Sequence, residues 1–270
     1  MTLTLAMPKQ GKLLKPFADA LERAQFTYNQ DTGLITDKTN IVPDIAAMVL
    51  RDMDALADLS DGTVDIAPVG LNAYEEFNCA SGYAAPMAFE RTIDDSKCTL
   101  TLAGTIEDNI TSLESTKGRT IITTYPEILK SELDKIGIMS LTVPQWQTAS
   151  DAIQDADIDK NDIATIIVRK GGIEEKAAEL NALVFDLVQT GNSLIEAGFD
   201  LESSLPILES MIVIAQPKTS NLGPLDQETL DMFMDRIAPQ ELVQCVNENQ
   251  QNWGDNFAPL ETFGVPVYAT

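Results

Sequence analysis

The sequence predicts an α/β protein of two lobes with mainly parallel sheets, followed by an irregular C-terminal arm. Three observations carry this. Short apolar runs of strand length alternate with segments whose apolar residues recur at helical spacing, the rhythm of βαβ units. The alternation halts before residue 97, restarts, and later supplies one more strand, at 210–215, placed to return to the first lobe. After Pro217 the pattern gives way to a polar tail rich in Asn, Gln and Pro. The expected boundaries are 1–96 with 205–218 for the first lobe, 97–204 for the second, and 219–270 for the C-terminal extension.

In chain order, residues 2–7 (TLTLAM) read as a strand. Residues 12–24 read as a helix, with Leu13, Leu14, Phe17, Ala20, Leu21 and Ala24 on one face. Residues 45–50 read as a second, buried strand, and 53–59 as a short helix stopped by Ser60-Asp61-Gly62. Residues 64–69 form a third strand, ended by Gly70, and a parallel sheet is expected from this alternation. Residues 77–97, with Gly82 and Pro86, read as irregular. In the second lobe, strands are expected at 99–103, 120–124, 139–143 and 163–168. The Tyr125-Pro126 step opens a helix through residue 136, because proline suits the first helical position. Further helices are expected at 149–156 and 174–180, the latter after Gly171-Gly172, and in the tail at 227–237.

The most informative stretch is VFDLVQTGNSL. Residues 182–188 read as a strand carrying Asp186, the run breaks at Thr190-Gly191-Asn192-Ser193, and a helix follows at 194–197. A strand feeding a glycine-and-hydroxyl turn into a helix offers backbone N–H groups, two hydroxyls and a positive helix end to a phosphate. An acid just upstream is placed for ribose hydroxyls. The alternative for such a turn, taken by itself, is ordinary loop chemistry.

Composition narrows the chemistry. Asp plus Glu is 42, Lys plus Arg is 18, and the net charge is −24. That disfavours nucleic acid and anionic membranes as partners. Two readings of the acidity stand, a solvated acidic surface or adaptation to a saline habitat. If the substrates are polyanions, the few cations must gather at the site. There is no histidine, which removes histidine general acid–base catalysis, Ser-His-Asp triads and histidine metal sites. Cys79, Cys98 and Cys245 are widely spaced and form no CxxC pair, so neither a disulfide framework nor a zinc site is expected. No apolar run approaches the ~18 residues of a membrane span, and the N-terminus lacks the order of a signal peptide, which reads as a cytoplasmic start.

Several segments, taken in order, resemble the ATP phosphoribosyltransferase family. MPKQGKLL, with Pro8, Lys9, Gly11 and Lys12, resembles the family's P-K-G-R-L turn. LRDMDALADLSDGTVDIAPVG, with Arg51, Asp54, Gly62, Asp65 and Gly70, resembles its R-x-x-D helix and the G-x-x-D-[LIV]-G-[IV]-x-G block. TTYPEILKSELDKIGI, GGIE, DLVQTGNSL and SMIVIAQ resemble the blocks that follow, and the match runs over residues 2–216.

The resemblance implies two lobes like those of a type II periplasmic binding protein. It implies that N1 of the adenine of ATP attacks C1 of phosphoribosyl pyrophosphate with release of pyrophosphate, with magnesium (Mg2+) on the phosphates. That is the first step of histidine biosynthesis. By position, Thr190, Gly191, Asn192 and Ser193 would cradle the 5-phosphate, and Glu174 and Asp186 would hold the ribose end. Lys9, Lys12 and Arg51 would face the pyrophosphate and triphosphate, with surface solvation as the alternative for Lys12 and Arg51. Tyr125 and Gly70 would border the nucleotide. Asp65 has two readings, substrate contact or a cap on the turn around Pro68 and Gly70. Tyr74, Glu75 and Glu76 could form a plain exposed helix start. The family further implies a homo-oligomer, a dimer or larger, and a regulatory subunit related to histidyl-tRNA synthetase. The chain departs from the family at Lys12, where the family has Arg, and at Glu179 and Ala182, changes expected to sit close to the sugar-phosphate site. These departures leave open a second reading, an inactive or altered-acceptor paralogue that binds a phosphorylated ribose or nucleotide in an interlobe cleft.

Overall fold

A computed structural model describes residues 3–9, 13–81, 87–93, 97–143, 161–217, 222–238 and 240–241. It divides the chain into two units, Met1–Lys97 with Ser210–Thr270, and Cys98–Glu209.

The first unit opens with β1 (Thr4–Pro8) and α1 (Leu14–Arg23). Leu13, Phe17, Ala20, Leu21 and Ala24 are buried, as the helical spacing requires. A hairpin follows that the apolar pattern does not announce, β2 (Phe26–Asn29) and β3 (Leu34–Asp37). Its turn is set locally: the Asn29 side chain accepts the N–H of Asp31 and Thr32, and Gly33 sits at φ +65°. Then come β4 (Ile45–Leu50), α2 (Asp52–Asp61), β5 (Ala67–Gly70), α3 (Leu71–Ser81) and β6 (Met87–Thr92). Gly62 stops α2 in the left-handed conformation, the predicted stop.

Three expectations for this unit are corrected. Residues 77–97 are not irregular throughout, since they hold the end of α3 and all of β6. Strand β4 is not buried along its length: Met48 and Val49 are 38% and 44% exposed. It runs past β3, which pairs only through Leu34–Ala46 and Ile35–Ile45. The three predicted strands do not form one parallel sheet. Strand β4 is parallel to β1, and the residue before β5 joins β1 in a single parallel bridge, Leu5–Ile66, with the Ala6 N–H on the Ile66 carbonyl, while β5 itself ladders with β13.

The second unit holds β7 (Cys98–Gly104), β8 (Thr120–Thr123), α4 (Pro126–Lys135), β9 (Met139–Val143), β10 (Ile163–Val168), α5 (Ile173–Leu180), β11 (Leu183–Val188), α6 (Asn192–Glu196) and β12 (Asp200–Ser210). The strand order is β12-β7-β11-β8-β10-β9. The ladders β11–β8, β8–β10 and β10–β9 are parallel, and β7 runs antiparallel to β11. Strands β10 (IATIIV) and β11 (LVFDLV) are near-continuous apolar runs because both faces of a parallel sheet are covered. The helix expected at 149–156 lies outside the described residues.

The chain re-enters the first unit as β13 (Ile212–Pro217), α7 (Pro224–Ile237) and β14 (Gln240–Glu241). Strand β13 lies antiparallel between β5 and β6, completing a sheet of order β14-β6-β13-β5 beside the β1-β4-β3-β2 sheet. Helix α7 starts at Pro224, three residues before the expected start. It buries Leu230, Phe233, Met234 and Ile237 in the cluster that holds Phe17, Leu21 and Phe26. The Phe26 and Phe233 rings meet edge-on with centroids 5.0 Å apart.

One polar lock joins α7 to the hairpin. The Arg236 guanidinium donates to both Asp37 oxygens, at 2.7 and 3.0 Å, donates to the Ala24 carbonyl, and lies 4.4 Å over the Phe26 ring. Asp37 is buried and also accepts from the N–H groups of Thr39, Ile41 and Val42 and from the Thr39 hydroxyl. Arg236 first, and these donors with it, hold the Asp37 carboxyl well below the usual carboxylate range. Among the described residues no helix is long and apolar enough to cross a membrane.

Candidate functional site

In the second unit, the neighbouring strands β11, β8 and β10 end at Val188, Thr123 and Val168, and each feeds a helix. The carboxyl ends of parallel strands are where α/β sheets bind ligands. After β8, the Thr123 hydroxyl accepts the Tyr125 N–H at 2.8 Å, and Pro126 opens α4. Tyr125 is therefore half-buried at the start of a helix. The Arg169 N–H donates to the Thr123 carbonyl at 2.9 Å, tying the β10 loop to β8. That loop turns through Gly171 and Gly172, at φ +78° and +56°, where a side chain would be strained.

After β11, Thr190 is exposed and Gly191 sits at φ +76° at the cap of α6. Gly191 is fixed in kind by its neighbour as well as by its φ. A Cβ there would lie 2.1 Å from Cδ1 of Leu201. Asn192 and Ser193 form the exposed first turn of α6. The Ser193 hydroxyl donates to Oε1 of Glu174 at 2.8 Å, which brings the α5 and α6 starts together. Asp186 is half-buried on β11 between buried Phe185 and Leu187, and the Thr124 hydroxyl lies 3.4 Å from its Oδ1. Glu174, Asp186, Thr190, Gly191, Asn192, Ser193 and Tyr125 thus sit on adjoining loops and strand ends of one unit. This set holds two acids and no cation.

The other predicted residues belong to the first unit. Strands β1 and β4 pair through Pro8–Leu50, and the Lys9 N–H donates to the Leu50 carbonyl at 2.8 Å. Lys9 and Arg51 therefore leave from neighbouring strand ends, and both are exposed. Arg51 caps α2 in an extended conformation (φ −84°, ψ 158°). Burial pushes the carboxyl of the next residue, Asp52, above the usual range. Lys12, with Gly11, lies outside the described residues. Gly70 ends β5 opposite Ile212 and is buried. A Cβ there would meet Asn72 Oδ1 at 2.5 Å. That oxygen accepts the Ser210 hydroxyl at 2.7 Å, while Ser210 Oγ accepts the Asn72 N–H at 3.0 Å.

Asp65 has a structural role. Its Oδ2 accepts the Thr4 N–H at 2.8 Å, so it caps the start of β1 rather than the Pro68–Gly70 turn. Tyr74 and Glu76 are 3% and 8% exposed inside α3, so they are not an exposed helix start. Glu179 is an exposed partner of Lys176 at the C-terminal end of α5, and Ala182 is buried before the start of β11.

The family model described as HisG, ATP phosphoribosyltransferase, matches residues 51–239. The chain belongs to the ATP phosphoribosyltransferase family. A curated ATP phosphoribosyltransferase of Parabacteroides distasonis is 27% identical over 244 residues, which cover 90% of this chain and 74% of that one. Among solved structures, the fold is similar to that of the ATP phosphoribosyl transferase (HisG:HisZ) complex from Thermotoga maritima. The TM-score there is 0.59 at 18% identity, over 87% of this chain and 96% of that chain. It is also similar to XAC2383 from Xanthomonas citri bound to ATP, with a TM-score of 0.53 at 13% identity, over 97% and 88% of the two chains.

For a phosphoribosyltransferase, sequence reasoning passes over one group on the same strand ends, Arg169 with Lys170. The available signal is the charge balance: two adjacent cations stand beside Gly171-Gly172 in a chain with 42 acids and 18 bases.

Proposed function

We propose that this chain joins N1 of the adenine of ATP to C1 of phosphoribosyl pyrophosphate, with pyrophosphate leaving, the first step of histidine biosynthesis. The observation that carries the reading is the Ser193–Glu174 contact beside Asp186 on the ends of parallel strands, in a chain of this family. Thr190 to Ser193 cradle the 5-phosphate through hydroxyls and backbone N–H groups. Asp186 and Glu174 take ribose hydroxyls, which requires Ser193 to turn from Glu174 towards the phosphate. Lys9, Lys12 and Arg51 offset charge on the pyrophosphate and triphosphate, and Tyr125 and Gly70 border the nucleotide. The nucleophile belongs to ATP and the leaving group is already a good one. Catalysis then rests on positioning and electrostatics, and the absence of histidine costs nothing.

Magnesium fits this set. It binds through one or two carboxylates together with substrate phosphates. Asp186 and Thr124 supply oxygen donors, while no group of three or more metal-ligating residues gathers among the described residues. When bound, it would neutralise the leaving pyrophosphate. The HisG:HisZ assembly of the Thermotoga relative supports a regulatory subunit related to histidyl-tRNA synthetase for this chain, and a homo-oligomer in the cytoplasm is the setting proposed for it. The family match and the curated ATP phosphoribosyltransferase relative favour ATP as acceptor over an altered-acceptor paralogue.

The test is pyrophosphate release from ATP, phosphoribosyl pyrophosphate and magnesium, at low and high salt, with and without a HisZ-type subunit. Product must depend on both substrates. The double variant Thr190→Ala, Ser193→Ala should bind phosphoribosyl pyrophosphate at least about tenfold more weakly, since each hydrogen bond to a charged group is worth roughly 1.5–3 kcal/mol. Unchanged affinity in the folded variant would remove the cradle assignment.

A further inference from the structure

The phosphoribosyl residues of the second unit would meet a ligand carrying a phosphate and a pyrophosphate, yet Glu174 and Asp186 are acids and the rest are neutral. Arg169 stands where a cation is wanting. It leaves the end of β10, next to β8, with its backbone N–H fixed on the Thr123 carbonyl. Its Nε donates to the Gly171 carbonyl at 3.0 Å, which holds the guanidinium in its own loop and leaves both terminal NH2 groups to serve something else.

No carboxylate among the described residues forms an ion pair with them. Four described arginines are half-buried, Arg91, Arg119, Arg169 and Arg236. Three are paired with aspartates, Arg91 with Asp235 at 2.6 Å, Arg119 with Asp108 at 2.6 Å and Arg236 with Asp37 at 2.7 Å. Arg169 alone of the four makes no ion pair among the described residues, in a chain with more than two acids per base. Two acids lie near it: Glu179, whose carboxyl is held low by Lys176 first and by the Arg169 charge in part, and Glu175. A Cβ on Gly172 would lie 3.6 Å from an Arg169 NH2 nitrogen and 3.5 Å from Glu175 Oε2, and these two charged groups form no ion pair among the described residues. A guanidinium anchored at Nε, with its outer face unpaired, is shaped for a phosphate, whose oxygens accept its N–H groups in parallel.

We infer that Arg169 contacts a phosphate group of phosphoribosyl pyrophosphate and supplies the second unit's cation for that substrate. The inference rests on the phosphoribosyltransferase reading above. It separates substrates: the Arg169 contact serves phosphoribosyl pyrophosphate and not ATP.

The experiment compares wild type, Arg169→Gln and Arg169→Lys in steady-state kinetics for each substrate and in melting with phosphoribosyl pyrophosphate alone. Arg169→Gln should raise KM for phosphoribosyl pyrophosphate roughly ten- to a hundredfold, the worth of one charge-assisted hydrogen-bonded contact, with KM for ATP unchanged. Arg169→Lys keeps the charge and loses the fork, so it should recover part of the loss. Both variants lose the bond to Gly171, so a purely structural role predicts equal defects in the two, and that result overturns the inference. So does a folded Arg169→Gln with wild-type KM for phosphoribosyl pyrophosphate. Should Arg169→Gln fail to fold, Arg169→Lys decides: a raised KM for phosphoribosyl pyrophosphate alone supports the contact, and unchanged or jointly raised KM values remove it. A wild-type chain that neither turns over nor is stabilised by phosphoribosyl pyrophosphate removes the phosphoribosyltransferase reading, and the inference with it. Normal wild-type turnover with an indifferent Arg169→Gln removes the inference only.

Discussion

Gly191→Ala tests whether the proposed phosphate turn is shaped by its own sequence or by its neighbour. Two costs can be worked from the structure. The residue sits at φ +76°, in the left-handed region, where an L side chain costs about 1–2 kcal/mol relative to glycine. The added Cβ would also lie 2.1 Å from Cδ1, 3.3 Å from Cγ and 3.5 Å from Cδ2 of Leu201, against an ordinary carbon contact of about 3.5–4.0 Å. The nearest atom is the end of a side chain on β12, so Leu201 can rotate away. The steric cost then sits at the low end of overpacking, about 1 kcal/mol. The sum is about 2–3 kcal/mol, read from urea denaturation. Adding Leu201→Ala should separate the terms: the steric part is relieved and the backbone part stays. The double variant is then less destabilised than the two single losses added together. A Gly191→Ala protein within about 0.5 kcal/mol of wild type would refute the strain argument. Strict additivity with Leu201→Ala would refute the clash.

Three further outcomes are expected. Arg236→Met leaves the buried Asp37 carboxylate without its cation and should cost about 3–5 kcal/mol by thermal or urea denaturation, far more than Lys130→Met, whose pair with Asp134 is exposed and screened by solvent. Because the Asp37 carboxyl is held below its unfolded value, first by Arg236, its stabilisation is full above the ordinary carboxylate pKa of about 3.9 and is lost as pH falls towards the lower folded value. Urea midpoints measured downwards from pH 5 should therefore fall less steeply in Asp37→Asn than in wild type, and parallel curves would count against the lock. Gly70→Ala places a Cβ 2.5 Å from Asn72 Oδ1 and should break the Asn72–Ser210 pair. The expected loss is about 1–3 kcal/mol, and Asn72→Ala in that background should restore part of it.

Much of the fold is legible where a signal is local. The apolar spacing of residues 13–24, the Gly62 stop, the Tyr125-Pro126 start and the Thr190–Ser193 turn all lie within one or two helical turns of the residues that express them, and the structure has them. The hairpin of β2 and β3 is not legible, because each strand is only four residues long, too short for a period to show. Helix α3 escapes the pattern because Asn72, Glu76 and Asn78 are buried beside Ala73 and Tyr74, so no clean apolar stripe marks it. At the candidate site, the turn and its acids are legible as motifs. Arg169 is not, because sequence does not say which arginines find an aspartate and which, among the described residues, form no ion pair.

The sequence by itself determined the α/β class, the return of a late strand to the first unit, the phosphate-type turn and, through ordered blocks, the family. The class, the returning strand and the turn follow from periodicity and from backbone preferences that act over a few residues, and the family from the resemblance of its blocks. Only the tertiary structure decided which partners meet across long separations. Asp37 finds Arg236 at a sequence distance of 199, Asn72 finds Ser210 at 138, and Asp65 holds the start of β1 at 61. Whether an acid becomes a ligand, a cap or a lock depends on which donors the packed chain brings to it. That is set by the summed burial of apolar faces elsewhere, not by the residues beside it.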